Sequence, residues 1–363
     1  MEINKLFGGA YSGTRCLVTG DSGFKGSWLV AWLAQMGAEI KGYALAPVTR
    51  EHHVGLLQTE YESIEGNILD YDKLKSVVED FQPEIIFHLA AQAIVKYSYD
   101  NPIETYKTNV IGTLNIFEVA RQTGSVKAIV NVTSDKCYEN REWIWGYREN
   151  DPMGGHDPYS SSKGCAELLT QSYRKSFFNG TDKTLLASAR AGNVIGGGDW
   201  SQDRLIPDLI KAAVIGGETE IRNPLATRPW QHVLDPLSGY LMLGWKLVSG
   251  EKEFAQGWNF GPYLSSNLSV REITEEAKEF WSKIKYTVNT NENDHHEANL
   301  LMLDCSKSNK LLKWTPVWDR SETIRKTIVW YKDFYEKGKV NTEEDIAQYI
   351  QDATIKNKVW THA

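Results

Sequence analysis

Short β-rich runs alternate with amphipathic stretches through the first half of the chain. The amphipathic stretches carry apolar residues three and four positions apart, which is the spacing of one helix face. Strands that alternate with helices form parallel sheets, so this order predicts an α/β fold, a doubly wound, Rossmann-like parallel sheet. We expect six strands, at residues 15–19, 39–44, 61–65, 84–88, 128–132 and 185–190. The clearest predicted helices are residues 26–36, 70–80, 102–122 and 159–178.

Three glycines directly follow the first predicted strand and precede the first predicted helix. Gly20, Gly23 and Gly26 are spaced as in turns that hold a dinucleotide pyrophosphate. Glycine permits the positive φ of such a turn and lets a phosphate approach bare backbone, while the helix N-terminus offers unpaired N–H groups. The position of these glycines favours a dinucleotide site over a plain strand-to-helix turn.

The second predicted strand lacks the acidic residue that commonly binds the ribose of NAD. It ends in Tyr43, Ala44 and Leu45, and the basic residues Lys25 and Arg50 would suit an additional phosphate. The residues alone therefore leave the choice between NAD and NADP open.

The regular alternation ends near Gly192. Loops rich in glycine and proline follow, separated by what we interpret as short helices. We expect residues 1–192 to form a dinucleotide-binding domain. Residues 193–363 are expected to form mainly a smaller, partly interleaved C-terminal α+β substrate-binding region, with some segments that return to the first domain.

The composition excludes several classes of protein. No stretch reaches the ~20 apolar residues of a membrane helix, and the N-terminus lacks a secretory signal, so we expect a cytoplasmic protein without a membrane partner. The net charge of −7 disfavours nucleic acid. The histidine pairs 52–53 and 295–296 lack further ligands nearby, so no metal is expected. The 13 tryptophans are expected in the core and not as a platform for a base.

Tyr159 and Lys163 lie at i and i+4 of a predicted helix, so their side chains share one face. A neighbouring ammonium group lowers the pKa of a tyrosine toward the range of a general base. This helix follows the fifth strand at the carboxyl edge of the sheet, where doubly wound folds bind their ligand. We therefore expect this pair to be catalytic. Two other pairs share the spacing and are expected on solvated faces: Tyr71/Lys75 and Tyr335/Lys339.

Several motifs in this order resemble the extended short-chain dehydrogenase/reductase family, over most of the chain. They are residues 20–26, 88–92, 108–113, the set Ser134, Tyr159 and Lys163, and residues 190–196 and 228–233. Within that family, residues 23–28, 133–138 and 159–167 are similar to those of nucleotide-sugar 4,6-dehydratases that act on CDP-glucose.

The resemblance implies an NAD-dependent lyase that converts CDP-D-glucose to CDP-4-keto-6-deoxy-D-glucose. Oxidation at carbon 4 is followed by loss of water across carbons 5 and 6 and by return of hydride to carbon 6, so NAD is regenerated in each turnover. A role in deoxysugar biosynthesis, such as that of the lipopolysaccharide O-antigen, is implied as well. The preference for cytosine is carried by the resemblance alone.

The resemblance also implies catalytic roles. Tyr159 takes the hydroxyl proton at carbon 4, Ser134 binds the same oxygen, and Lys163 tunes Tyr159 and binds the cofactor ribose. Related dehydratases use an Asp-Glu pair as acid and base where this chain has Asp135 and Lys136. An ammonium group cannot accept a proton, so Lys136 is the carbon 5 base only if its pKa falls by several units; a phosphate contact or an ion pair is the alternative. A cation beside Asp135 also favours carboxylate where an acid is needed.

Further residues are implied as binding groups, and arginine suits a diphosphate because its planar fork donates two hydrogen bonds at once. For the cofactor they are Gly20, Gly23, Phe24, Lys25, Gly26, Asn67, Ile68, Leu89, Ala90, Ala91, Thr108, Tyr159 and Lys163. For the nucleotide sugar they are Gln92, Ser134, Asn193, Arg204 and Arg228. Relatives pair the helices that correspond to residues 102–122 and 159–178 across a two-fold axis, which implies a homodimer.

Two alternatives stay open. The first is another nucleotide-sugar 4,6-dehydratase, or a 4-epimerase, of the same family. The second is a regulator that binds a dinucleotide without turnover, although such proteins tend to lose the tyrosine or the lysine that this chain retains.

Overall fold

This computed structural model describes residues 2–179, 184–221, 223–263, 266–289 and 300–362. Its strands are β1 (Arg15–Thr19), β2 (Glu39–Ala44), β3 (Glu62–Glu65), β4 (Ile85–His88), β5 (Ala128–Val132), β6 (Leu185–Ala191), β7 (Val194–Ile195), β8 (Thr219–Ile221), β9 (Thr227–Pro229), β10 (Gln231–His232), β11 (Gly257–Phe260), β12 (Asn267–Ser269) and β13 (Tyr286–Val288). Its helices are α1 (Phe24–Gln35), α2 (Tyr71–Phe81), α3 (Val95–Asp100), α4 (Pro102–Tyr106), α5 (Thr113–Gln122), α6 (Pro158–Ser176), α7 (Leu205–Val214), α8 (Leu234–Val248), α9 (Val270–Phe280), α10 (Arg320–Lys337) and α11 (Thr342–Ile355).

The central sheet has seven parallel strands in the order β11-β6-β5-β4-β1-β2-β3. The chain enters at β1, moves outward to β3, and then returns to β4 and continues in the opposite direction. The strand order therefore reverses between β1 and β4, which is where such sheets bind ligands. The predicted doubly wound α/β fold is confirmed, and each predicted strand lies within one residue of its observed bounds.

The expectation of six strands was wrong by one, because the second half of the chain supplies β11. This strand pairs with β6, and its residues Trp258 and Phe260 are buried. The amide of Asn259 on β11 accepts a hydrogen bond from Tyr138 and donates to the carbonyl of Tyr147. Strands β3 and β4 are equally short but stand within the regular strand–helix alternation, whereas β11 lies beyond it, so only its tertiary partners identify it.

The expectation of short helices beyond Gly192 was also wrong. Helix α8 packs beneath β5 and β6, and its residues from Leu234 to Gly244 are almost all buried. A helix that is apolar on every side shows no amphipathic pattern, which is why the sequence did not reveal its length. Helices α10 and α11 are likewise long, and the three helices complete one face of the molecule.

The predicted helix 102–122 is interrupted. Between α4 and α5 the chain forms a π-helical segment, Lys107–Gly112, which contains the buried Asn109. The side-chain nitrogen of Asn109 donates to the Gln92 carbonyl (3.0 Å) and to Ser162 Oγ (2.8 Å), and its oxygen accepts from the Gln92 amide (2.9 Å). The π turn thus places one amide where it ties the loop after β4 to α6.

The tryptophans lie mainly in the core, as expected. Those that are fully buried include Trp28, Trp32, Trp258, Trp281, Trp314, Trp330 and Trp360. His53 stacks on Trp28, and its ring nitrogens contact Ser27 on α1 (2.8 Å) and Thr342 on α11 (2.7 Å). This histidine therefore joins two helices, and His295 and His296 lie outside the described residues. Within the described ranges no helix is long and apolar enough to span a bilayer, and no three potential metal ligands are clustered.

Candidate active site

The glycine turn after β1 has the geometry that only glycine allows. Gly20 has a φ of +76°, and a Cβ there would lie 2.7 Å from the amide nitrogen of Ala90. A Cβ on Gly26 would lie 2.1 Å from the carbonyl oxygen of Gly20. The turn is therefore folded tightly onto the end of β4, and bare backbone faces the position where α1 begins.

Ser134 and Asp135 follow β5 at the carboxyl edge of the sheet, and both are buried. Ser134 Oγ donates to Asp135 Oδ1 (2.8 Å) and accepts from the backbone N–H of Lys136 (3.2 Å). Burial raises the pKa of Asp135, although Lys136 and Lys25 oppose the shift. Lys136 favours the carboxylate, as expected, but loss of hydration outweighs the neighbouring cation, so the net shift is upward.

Tyr159 lies in the first turn of α6, and three local features position it. Asp157 caps the helix by accepting from the Ser160 N–H (2.9 Å), and Pro158 occupies the first turn. Ser98 on α3 accepts from the Tyr159 N–H (3.1 Å). The phenol of Tyr159 is buried and hydrogen-bonds with Ser134.

The Tyr159 phenol does not show the lowered pKa that the sequence predicts. Burial raises its pKa to about 12, and the Ser134 hydrogen bond and the positive charge of Arg204 only partly oppose the shift. Lys163, one turn further along α6, is buried as well, and its own pKa falls to about 8. The chain alone therefore does not bring this phenol into the range of a base at neutral pH.

Lys25 extends from the glycine turn into the same cleft. Loss of hydration and the charges of Arg204 and Lys163 lower its pKa to about 8, while Asp135 opposes the shift. The structure thus brings Lys25 together with the reaction centre, whereas the sequence reasoning assigned it to the cofactor alone. Its charged neighbours come from four separate parts of the chain, so no local motif reveals them.

The two competing Tyr–Lys pairs lie elsewhere. Lys75 on α2 is exposed and faces Glu79 (3.7 Å). Tyr335 on α10 accepts a hydrogen bond from Trp200 Nε1, and Lys339 pairs with Glu344 on the surface. Tyr71 begins α2 after the edge strand β3, and Tyr335 lies on α10, so neither pair follows β5 as Tyr159 and Lys163 do.

The other cofactor candidates line that edge. Asn67 and Ile68 follow β3, and Asn67 is exposed. The side chain of Ile68 packs in the core against Gly112, so only the backbone of Ile68 can contact a cofactor. Leu89, Ala90 and Ala91 follow β4 beside the glycine turn, where the Leu89 N–H donates to the Thr19 carbonyl. Two half-buried residues complete the set: Phe24 at the start of α1 and Thr108 in the π-helical segment.

Two substrate candidates, the half-buried Gln92 after β4 and Ser134 after β5, lie in the first half of the chain, and the other three come from the second half. The Asn193 carbonyl pairs with the Gln231 N–H, and Arg228 lies on β9, which pairs with β12. Arg204 Nη1 lies 3.1 Å from Asp199 Oδ2. Gly192 connects this region to the reaction centre, because a Cβ there would lie 2.8 Å from Asp135 Oδ2 and 3.5 Å from Pro229.

Sequence reasoning missed several residues that support the site: Ser98, Asn109, Glu167 and Asp199. Glu167 and Asn109 carry a signal, since each is a polar residue on a helix face that is otherwise buried. Ser98 carries none, because its partner Tyr159 is distant in sequence, whereas the partner of Asp199 is Arg204, five residues further along the chain.

A doubly wound sheet with a glycine turn after β1 and a Ser–Tyr–Lys set after β5 defines the extended short-chain dehydrogenases/reductases. More particularly, the chain belongs to the GDP-mannose 4,6 dehydratase family, whose model matches residues 17–327. The resemblance that the motifs indicated is thereby confirmed.

Individual relatives cover nearly the whole chain. The CDP-glucose 4,6-dehydratase of Salmonella typhimurium is 48% identical over 360 residues, covering 97% of this chain and 99% of that protein. An epimerase from Methanothermobacter thermautotrophicus has a similar structure, with a TM-score of 0.80, 26% identity, and coverage of 90% of this chain and 94% of that chain. The dTDP-glucose 4,6-dehydratase DesIV of Streptomyces venezuelae, solved with NAD and DAU bound, has a TM-score of 0.75 at 22% identity, with coverage of 88% and 97%.

Proposed function

We propose that this chain is an NAD-dependent hydro-lyase that converts CDP-D-glucose to CDP-4-keto-6-deoxy-D-glucose. The observation that carries the proposal is Asp135, a buried carboxyl group with a raised pKa, hydrogen-bonded to Ser134 beside the Tyr159 phenol. Dehydration needs a protonated group that helps a hydroxyl leave, whereas 4-epimerisation does not. The 48% identity to the Salmonella enzyme supports CDP-glucose as the substrate.

The glycine turn fits NAD, because its tight fold and missing Cβ atoms let a pyrophosphate approach the backbone. Gly20, Gly23, Phe24, Lys25 and Gly26 would hold the phosphates. The remaining groups proposed for the cofactor are Asn67, Ile68, Leu89, Ala90, Ala91, Thr108, Tyr159 and Lys163. When bound, NAD supplies a hydride acceptor and, in its oxidised form, a positive charge. Solved relatives with bound NAD support this choice over NADP.

The first proton transfer is assigned to Tyr159. Its phenol takes the hydroxyl proton at carbon 4, Ser134 hydrogen-bonds the same oxygen, and Lys163 supplies positive charge from the next turn of α6. The raised pKa of Tyr159 means that this base needs additional positive charge to act at neutral pH, and the oxidised cofactor is one source of it.

Elimination of water is assigned to Asp135 and Lys136. Asp135 donates its proton to the carbon 6 hydroxyl, which leaves as water, and Lys136, beside it in the chain, takes the proton from carbon 5 as a neutral amine, having first released its own proton to solvent. Lys136→Met tests the second assignment by proton exchange in deuterated water. We expect oxidation at carbon 4 to persist without deuterium uptake at carbon 5, and normal uptake would assign the base to another residue.

The nucleotide sugar is proposed to bind between the sheet edge and residues 193–363, which we assign mainly to substrate binding. Asn193, Arg228 and Gln92 are proposed contacts, together with Arg204, which would exchange Asp199 for the diphosphate. A homodimer is proposed because α4, the π-helical segment and α6 expose apolar side chains: Ile103, Tyr106, Ile111 and Leu168. A cytoplasmic location and a role in O-antigen deoxysugar synthesis remain predictions of the resemblance.

Incubation of the purified chain with CDP-glucose tests the function. We expect a product with a carbon 4 ketone and a carbon 6 methyl group, identified by nuclear magnetic resonance, without net consumption of NAD. Parallel reactions with dTDP-glucose and UDP-glucose test the base specificity. Formation of CDP-galactose would identify a 4-epimerase, and binding of NAD with no turnover of any sugar nucleotide would identify a regulator.

A further inference from the structure

A buried polar cluster lies behind the reaction centre, where α6 faces the sheet. At its centre is Glu167, one helical turn after Lys163 and 4% exposed. Its carboxylate accepts hydrogen bonds from Thr133 Oγ1 (2.5 Å) and Ser188 Oγ (2.8 Å), and Arg190 Nη2 lies 2.7 Å away. Helix α6, strand β6 and the end of β5 therefore meet at one buried charge.

Arg190 extends the cluster to the far edge of the sheet. Its Nη1 donates to Tyr138 (2.6 Å) and to the Glu149 carbonyl (3.1 Å), and Tyr138 in turn donates to Asn259 on β11 (2.7 Å). Burial opposes ionisation of Glu167, but Arg190 and the hydroxyl donors outweigh it and lower the pKa of Glu167. The cluster thus maintains a fixed negative charge inside the protein.

We infer that Glu167 is a positioning residue for the proposed reaction, which keeps Lys163 cationic and holds α6 against Thr133 so that Ser134 and Tyr159 remain in contact. The inference rests on the proposed function and deepens it. Lys163 and Glu167 lie at i and i+4 on the same buried helix face, and Thr133 immediately precedes Ser134. One carboxylate thereby acts on two of the five proposed catalytic groups, on Lys163 by its charge and on Ser134 through Thr133.

Among the groups around Lys163, Glu167 does most to keep this lysine protonated. Burial lowers the pKa of Lys163 to about 8, and Glu167 is the strongest influence in the opposite direction, ahead of the Cys137 thiol. From α1, Lys25 is a second cation, and the charge of Lys163 lowers the pKa of Lys25. From β4, His88 is neutral, because burial lowers its pKa to about 3. Without Glu167, Lys163 would release its proton at a lower pH.

Glu167→Gln tests this inference, because glutamine keeps the size and an acceptor oxygen but removes the charge. NAD⁺ affinity is measured by calorimetry on the full chain from neutral to mildly alkaline pH. Since Lys163 is proposed to bind the ribose as a cation, wild-type affinity is expected to fall as the pH rises through the pKa of Lys163. In Glu167→Gln we expect the midpoint of this fall in affinity to lie about one pH unit lower than in the wild type. One unit is the small end of the pKa shift that a neighbouring charge causes. The alkaline fall of kcat with CDP-glucose is expected to shift equally.

Two further variants separate positioning from structural damage. Thr170→Val removes another tie between α6 and β5, the hydrogen bond from Asn131 Nδ2 (2.8 Å), without removing a charge. It is expected to lower the melting temperature and to leave the pH midpoint in place. Glu167→Asp draws the charge away from Lys163, so a smaller shift in the same direction is expected, and it serves as the test if Glu167→Gln does not fold.

An unchanged midpoint in the Glu167 variants, or an equal shift in Thr170→Val, would overturn the inference. Failure of the wild-type chain to convert CDP-glucose would instead overturn the proposed function. Because NAD⁺ binding is measured without the sugar substrate, the two failures are distinguishable.

Discussion

Two carboxyl groups, Asp135 and Glu167, are buried near the carboxyl edge of the sheet. Their pKa values are shifted in opposite directions. Burial raises the pKa of Asp135, which within the described residues makes no ion-pair contact and bonds to the Ser134 hydroxyl. Glu167 is equally buried, yet its pKa is lowered, because Arg190 contacts it directly and hydroxyl donors complete its shell. A contacting guanidinium decides whether a buried acid ionises here, whereas nearby cations alone do not. The protein thus holds one acid that keeps its proton to a higher pH than usual and another that loses its proton at a lower pH than usual.

Tyr159→Phe removes the proposed base, which lies beside Asp135. Among the variants considered, this one is expected to lose the most activity. We expect kcat with CDP-glucose to fall by about 10²–10⁴-fold, the usual contribution of a general base. Tyr71→Phe is the matched control, since Tyr71 has the same spacing to Lys75 and lies away from the cleft, and it is expected to keep kcat. Equal turnover by wild type and Tyr159→Phe would remove Tyr159 from the mechanism.

Arg190→Met leaves Glu167 as a buried charge without its partner. The free energy of unfolding is expected to fall by about 3–5 kcal/mol, measured by urea denaturation with tryptophan fluorescence. Lys127→Met is the control, because the Lys127–Glu84 pair (2.8 Å) is largely exposed on the lysine side and is expected to contribute at most ~1 kcal/mol. Similar losses in both variants would show that burial does not distinguish the two pairs.

Asp135→Asn removes the proposed acid while keeping its shape. We expect kcat to fall by roughly 10²-fold, at the low end of general-acid contributions, with reduced cofactor accumulating because oxidation at carbon 4 persists. Since the pKa of Asp135 is raised, the wild-type group stays protonated to a higher pH, and kcat is expected to fall as the pH rises through that pKa. An unchanged kcat would assign the acid to another residue.

Asp235 in α8 is a third buried carboxyl group whose pKa is shifted, and it lies in the core. It accepts from the Val317 N–H (2.7 Å) and the Tyr349 hydroxyl (2.7 Å), and burial raises its pKa to about 6. Because the folded chain binds this proton more tightly than the unfolded chain, the free energy of unfolding rises as the pH falls from 7 through about 6. The gain between pH 7 and pH 5 is expected to be about 1.3 kcal/mol, since the folded chain takes up nearly one proton over the lower of these two pH units and one unit corresponds to about 1.4 kcal/mol. Asp235→Asn is expected to remove it, and an equal gain in the variant would assign it elsewhere.

Local patterns were sufficient for much of this molecule. Strands β1 to β6 alternate with amphipathic helices, and Gly20, Gly23 and Gly26 occupy the one turn that a dinucleotide requires, so the sheet and its switch point follow from neighbours in sequence. The Tyr159/Lys163 pair could be chosen over its two copies for the same reason, because it begins the helix after β5.

The tertiary structure decided the rest. Strand β11 and the buried helix α8 lack a usable period, and both are recognised by what they pack against. The pKa shifts of Asp135 and Glu167 depend on hydration and, for Glu167 on α6, on Arg190, which lies 23 residues further along the chain on strand β6. The sequence by itself determined which elements form and where a cofactor would meet them, because those depend on local spacing. Only the folded chain determined which buried groups carry charge, because charge depends on partners that the fold brings into contact.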